Sequence, residues 1–188
     1  MSRPWVSTKS LLVIACFSRH VEALEWAQQR LRSIYGPIAL VSCDFPFHHT
    51  SYYEPTMGKG LVKRFLVFEA FFPPDCLPDV KNSTIKLEKD LIQSHEYPDA
   101  RPLNLDPGLL QLGKFLLATT KDQAHRIYLR DNIFAEVTLR YQRAGFAPWP
   151  WTYADYQEPA VRQFLDEVRA LLYQKIQADS GTSSESGM

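Results

Sequence analysis

Glu69 and Glu136 are the carboxylates whose setting would suit acid–base chemistry, because each interrupts strand-like sequence and burial there would perturb its pKa. Glu136 lies in Leu116 to Tyr141, the densest set of polar side chains on strand-like sequence. If His125 to Leu129 and Ile133 to Tyr141 form a hairpin, Arg126 faces Glu136 and Tyr128 faces Phe134. In open water that ion pair contributes roughly 0–1 kcal/mol; inside a cleft it would orient a ligand. The turn Asn104 to Gly108 offers an anion site: Asp106 suits an N-cap and Pro107 a first helical position, so a buried helix is expected over Leu109 to Ala118. Its free N–H groups, with Lys114, Lys121 and Arg126, would attract an anion, which the Asp106 cap would oppose. A further set combines Tyr52, Tyr53 and Glu54 in a loop with Lys59, Lys63 and Arg64; the plainer reading has the tyrosine pair packed over the sheet and the cations solvated.

Other chemistries find weaker support. Asp44, His48 and His49 beside Cys43 suggest metal ligation, but consecutive histidines on an extended chain point opposite ways, so no metal is expected. No GxSxG elbow and no cysteine with a sequence-evident base appears. His125 reads as a satisfied core or edge histidine, and Trp149, Trp151, Tyr153 and Tyr156 as a clamp docking the last helix. Lys plus Arg (21) equals Asp plus Glu (21), which leaves no global field to attract nucleic acid or an anionic membrane. No patch combines clustered cations with interleaved aromatics either. The 3 cysteines, without a CxxC, read as reduced thiols. No stretch reaches transmembrane length, and Leu11 to Phe17 lacks a cleavage site behind it, so a cytoplasmic protein is expected.

These residues need a scaffold. The 188 residues, 45% hydrophobic and 22% charged, suit one α+β domain over 1–177 with a disordered polar tail over 178–188. Leu11 to Phe17 is a continuous apolar run, the pattern of a central strand covered on both faces. Ser18 can cap a helix over Val21 to Tyr35, which Gly36-Pro37 stops. Ile38 to Cys43 reads as a second buried strand, Asp44 to Gly60 as a long loop, and Leu61 to Phe72 as a third strand. A helix over Asp75 to Gln93 and an extended segment over Arg101 to Leu105 follow. Strand, helix, strand, strand, helix, strand is the order of a ferredoxin-like (split βαβ) antiparallel sheet backed by helices. The buried helix, the hairpin and a final helix over Glu158 to Gln177 would extend it. For the hairpin, a two-residue Asp131-Asn132 loop would set Arg130 against Ile133 and mix the faces. A three-residue loop over Arg130 to Asn132 keeps Ile127, Leu129, Ile133, Ala135, Val137 and Leu139 on one apolar face.

The runs SYYEPTMGKGLVKRF, LNLDPGLLQLGKFLLATTKDQAHRIYL, FAEVTLRY and PWTYADY resemble the uncharacterised bacterial domain-of-unknown-function family 4416, over Leu11 to Leu172. The resemblance implies a bacterial cytoplasmic protein and supplies no catalytic residue or cofactor. Members are sometimes labelled GTP-binding; this sequence has no GxxxxGK[ST] loop, and MGKGLVKR lacks the spacing that wraps phosphates. Two functions stand against each other. One is a site for an anionic metabolite or nucleotide, built from Tyr53, Glu54, Arg64, Asn104, Asp106, Lys114, Lys121 and Arg126, with Glu69 and Glu136 for acid–base work. The other is an interaction module, possible as a homodimer, using the exposed sheet face.

Overall fold

The computed structural model describes residues 9–48 and 50–185, with side chains to residue 180. β1 (Ser10–Ser18) runs through the middle of an antiparallel sheet, and its alternate side chains divide two cores. Leu12, Ile14 and Cys16 face one; Leu11, Val13 and Ala15 face the other. Both faces are covered, which is why the strand reads as an unbroken apolar run rather than an alternation.

α1 (Val21–Tyr35) follows, then the short strands β2 (Ile38–Val41) and β3 (Phe45–Pro46), the single turn α2 (Glu54–Met57) and the long β4 (Val62–Phe72). α3 (Leu77–Gln93) lies beside α1 on the first face, contributing Leu87 and Leu91 to the core that holds Leu24 and Leu31. Next come β5 (Asn104–Leu110), β6 (Lys114–Thr119), β7 (Ile127–Arg130), β8 (Ile133–Gln142) and β9 (Gly145–Pro148). The chain ends with the turn α4 (Ala154–Gln157) and α5 (Pro159–Glu185). Val161, Phe164, Leu165, Val168 and Leu172 of α5 fill the second core. At roughly 1.5–3 kcal/mol per buried side chain of this kind, that stripe is what fastens the helix to the sheet. The strands are ordered β2-β4-β1-β5-β6-β8-β7, with β3 on β4 and β9 on β8.

Several local expectations are corrected. The segment read as a helix over Leu109 to Ala118 is a tight hairpin, β5–β6, turning at Gln111 to Gly113. Leu109 enters the first core and Leu110 the second, so a strand buried on both sides shows the same all-round apolarity as a buried helix. Asp106 and Pro107 are therefore strand residues, and the proposed helix N-terminus does not exist. Ile38–Val41 is a half-buried edge strand, not a buried one. Ser18 ends β1, and His20 takes the N-cap position of α1 without a side-chain cap. α5 continues through Glu185, past the point where a polar tail was expected to leave it.

The β7–β8 turn also differs. Arg130 pairs with Ile133, leaving Asp131 and Asn132 as a two-residue loop with φ of 54° and 58°, the backbone of a type I′ turn. The mixing of faces that this loop implied is absorbed by an irregularity between Tyr128 and Arg130. Tyr128 still meets Phe134, with ring centroids 5.4 Å apart. Ile127 and Leu129, expected on the apolar face, are exposed.

Gly108 is the residue on which the β5–β6 hairpin closes: a Cβ there would stand 2.4 Å from the Leu116 carbonyl oxygen and 2.8 Å from the Phe115 ring. At Gly113 nothing lies within 4 Å. Gly108→Ala is expected to lower stability by about 1–3 kcal/mol in urea unfolding, while Gly113→Ala stays within about 0.5 kcal/mol of wild type.

Candidate functional site

The β5–β6 ladder runs from Leu110↔Phe115 to Gly108↔Leu117 and stops. The next residue of β5, Pro107, has no N–H to offer a neighbouring strand. Beyond it Asn104, Leu105 and Asp106 remain paired to β1 but have no strand on their other side. An open edge inside a sheet leaves backbone groups to satisfy. Leu105 N–H donates to Glu88 Oε1 at 2.7 Å, and its carbonyl accepts from Lys81 Nζ at 2.9 Å. Lys81 and Glu88, both buried and two turns apart on α3, thus take the place of the missing strand.

The network extends from there. Lys81 also donates to Asp106 Oδ1 at 3.1 Å, and Asn104 Nδ2 donates to Asp106 Oδ2 at 2.9 Å. Arg101 bonds Glu88 Oε2 at 3.1 Å and donates to Asn104 Oδ1. Burial pushes the Asp106 carboxyl up, but Lys81, Lys63 and Arg101 outweigh it and hold it below the usual carboxylate range. Burial pushes Glu88 up, and its cations offset only part of that.

Lys63 of β4 stands nearby, buried among the rings of Phe17, Phe47 and Tyr156 at 4.7 to 4.9 Å, and donates to Asp155 of α4. Tyr156 is 2 % exposed, and its hydroxyl has no hydrogen-bond partner among the described residues. Burial drives that hydroxyl's pKa well up, reinforced by Asp155, Asp106, Glu136 and Tyr53. The hydroxyl therefore feels carboxylates from β5, β8 and α4 together.

Across the split, Arg126 Nε donates to Glu136 Oε2 at 2.8 Å, with each side chain 1 % exposed. Its other nitrogens reach the Lys121 carbonyl at 2.9 Å and the Tyr153 hydroxyl at 2.6 Å. Thr138 donates to Glu136 Oε1 at 3.0 Å. His125 Nε2 lies 3.4 Å from Glu136 and stacks on Trp151, which stacks on Trp149, which lies under the Arg140 guanidinium. Lys121 Nζ sits 4.7 Å over the exposed Tyr52 ring, linking the segment before α2 to the β6–β7 connection.

Of the residues singled out from sequence, the structure brings together Tyr53, Asn104, Asp106, Arg126 and Glu136, with Lys121 at the rim. Tyr53 packs edge-on to Phe17 at 5.2 Å, and burial raises its hydroxyl pKa, helped by Asp106. The rest lie elsewhere. Glu69 is exposed, roughly 20 Å along β4 from Lys63 at about 3.3 Å per residue, so it does not converge with Glu136. Arg64 makes a two-pronged pair with Asp44, at 2.6 and 2.8 Å, on the opposite face of β4. Glu54 is half exposed beside Lys59, and Lys114 is exposed at the far end of β6.

Lys81, Glu88, Asp155 and Tyr156 were missed as site residues. The first two carried a signal, since they fall on the helical stripe of Leu77, Thr84 and Leu91 that the sequence buries. The aromatic connector gave no sign that Asp155 would pair with Lys63. Among the described residues no group of three His, Cys, Asp or Glu is placed to hold a metal, and His49 lies outside them. No described helix is long and apolar enough to cross a membrane. A shallow groove at the β8–β9 turn, lined by Arg143, Gly145 and Arg162 among others, includes none of the site residues.

The model of a family described as a domain of unknown function, DUF4416, matches residues 8–172. No curated protein and no solved structure matches the chain.

The buried Arg126–Glu136 pair makes the site's integrity measurable. Arg126→Met or Glu136→Leu alone should cost about 3–5 kcal/mol in urea unfolding by stranding the other charge, and the double variant should recover most of that loss. Asp106 contributes differently. Its folded pKa lies below its unfolded one, so its stabilisation is present above the ordinary carboxylate pKa and fades as pH falls through the depressed value. Asp106→Asn is expected to be destabilised by roughly 1.5–3 kcal/mol near pH 7 and to converge with wild type as unfolding is followed toward pH 2.

Proposed function

Because the chain belongs to DUF4416, a domain family of unknown function, its own side chains must carry the reading, and we propose a small-ligand site in the split between β5 and β6. The observation that carries it is the Tyr156 hydroxyl: buried and unpartnered, it lies where β5, β8 and α4 bring their charges together. A buried donor left without a partner costs about 1–3 kcal/mol, a cost that a ligand or ordered water at that point removes. The rim is built for contact, since Tyr52, Tyr153 and Trp151 are exposed around it. Binding fits these residues better than catalysis does, because Glu136 has both oxygens occupied and Glu69 is remote. The order β2-β4-β1-β5 supports a ferredoxin-like reading of the N-terminal half, and the continuity of the sheet supports one domain.

A second reading has a specific observation behind it. All of β7 is exposed, including Ile127, Tyr128 and Leu129, and it forms an edge of the sheet, which suits strand addition by a second copy. One experiment separates the two. Thermal unfolding of the purified protein is followed against a set of polar metabolites, alongside light scattering and Tyr153→Ala, an exposed change at the rim. A stabilising compound whose effect falls in Tyr153→Ala supports the site. No response to any compound, with a solution mass twice the 21.7 kDa chain, favours the edge-strand module and sinks the site.

A further inference from the structure

Four cations around the split are matched by carboxylates, while Lys121 and Arg140 are set against aromatic rings. Lys63 is matched by Asp155, Arg126 by Glu136, Lys81 by Asp106 and Arg101 by Glu88. An entering anion would find each of these cations already neutralised at contact distance, and would have to lie beside carboxylates as it lost its water. Asp106 decides the matter. It is held ionised by its cations, keeps 30 % of its side chain accessible, and lies on the strand edge that β6 leaves uncovered. An ionised carboxylate at such a place only accepts hydrogen bonds. It repels phosphate and carboxylate groups and suits hydroxyl donors.

Two further features match that preference. The Tyr156 hydroxyl is a second group with hydrogen-bonding capacity to spare, able to donate or accept. The approach is lined by tyrosine rings, Tyr53 half-buried and Tyr153 exposed, whose faces suit the C–H surface of a ring better than they suit charge. From this we infer that the split binds an uncharged ligand with neighbouring hydroxyl groups on an apolar ring, a free sugar or the ribose of a nucleoside, with the hydroxyls on Asp106 and Tyr156. This rests on the site reading above and replaces the anionic ligand that the sequence suggested.

The test uses the full chain and isothermal titration with four probes: adenosine, 2′,3′-dideoxyadenosine, adenosine monophosphate and methyl glucoside. Adenosine binding at least tenfold more tightly than both the dideoxy compound and the monophosphate identifies a ribose diol; the same preference for methyl glucoside identifies a free sugar. Asp106→Asn should weaken that binding at least tenfold and narrow the gap to the monophosphate, with circular dichroism confirming that the variant is folded. Tyr156→Phe, which keeps the ring, should weaken it several-fold. Tighter binding of the monophosphate that still depends on Tyr156 overturns the ligand class while leaving the site standing. Binding insensitive to both substitutions, or none by any probe at 10 mM, overturns the inference outright.

Discussion

A proline inside a sheet is the constraint on which the candidate site depends. β5 lies between β1 and β6, and Pro107 is the first residue past the last point, Gly108, where all three run side by side. Without an N–H it cannot continue the ladder, so β6 departs and β5 keeps an uncovered edge over Asn104 to Asp106. Everything polar nearby answers to that edge. Lys81 and Glu88 bond Leu105 where a strand would have bonded it, Arg101 fixes Glu88, and Asp106 is left between Lys81 and Asn104. One missing donor thereby recruits four charged side chains.

The other half of the site follows a different logic. Arg126 and Glu136 are withdrawn from water completely, and such a pair seldom stabilises more than apolar side chains of the same size would. What it adds is geometry. The guanidinium bonds a strand carboxylate, a connection carbonyl and a tyrosine hydroxyl from near α4, so the β6–β7 connection and the aromatic segment before α5 are held in one arrangement. The stack of His125, Trp151, Trp149 and Arg140 reinforces that joint along β8. The segment read from sequence as a clamp for the last helix therefore also clamps one wall of the split, and Asp155 within it reaches Lys63 on β4.

How much of this was legible depended on the range of the interaction. β1 and α1 announced themselves because local pattern and burial agree: an unbroken apolar run for a strand covered twice, a three-to-four spacing for a helix covered once. Arg126 and Glu136 were legible as partners because hairpin pairing is nearly local, and even a misjudged turn left their facing intact, since the irregularity near Leu129 corrects the register. The β5–β6 segment was illegible for the opposite reason. Leu109 and Leu110 serve cores on opposite faces, so the sequence is apolar all round, and Asp-Pro-Gly imitates a helix start. Gly113 was the available hint, since a glycine inside a supposed helix suits a hairpin turn better. Lys63 with Asp155 and Lys81 with Asp106 join residues far apart in the chain, and no local rule connects them.

The same geometry bears on whether the split does chemistry. Acid–base pairs reveal themselves as neighbouring groups whose environments push their pKa values apart, and Glu88 above and Asp106 below the usual range fit that description. Glu88, however, has one oxygen on the Leu105 N–H and the other on Arg101. Its raised pKa is the cost of covering an open strand edge with a buried carboxylate. Asp106 also has both oxygens bonded, but it is held ionised and is partly accessible, which makes it an acceptor and a weak base. Glu136 is fully engaged by Arg126 and Thr138. One partly accessible acceptor and one unpartnered phenol, with no unengaged carboxyl of raised pKa among the described residues of the split, fit the proposed recognition of hydroxyl groups better than proton transfer between them.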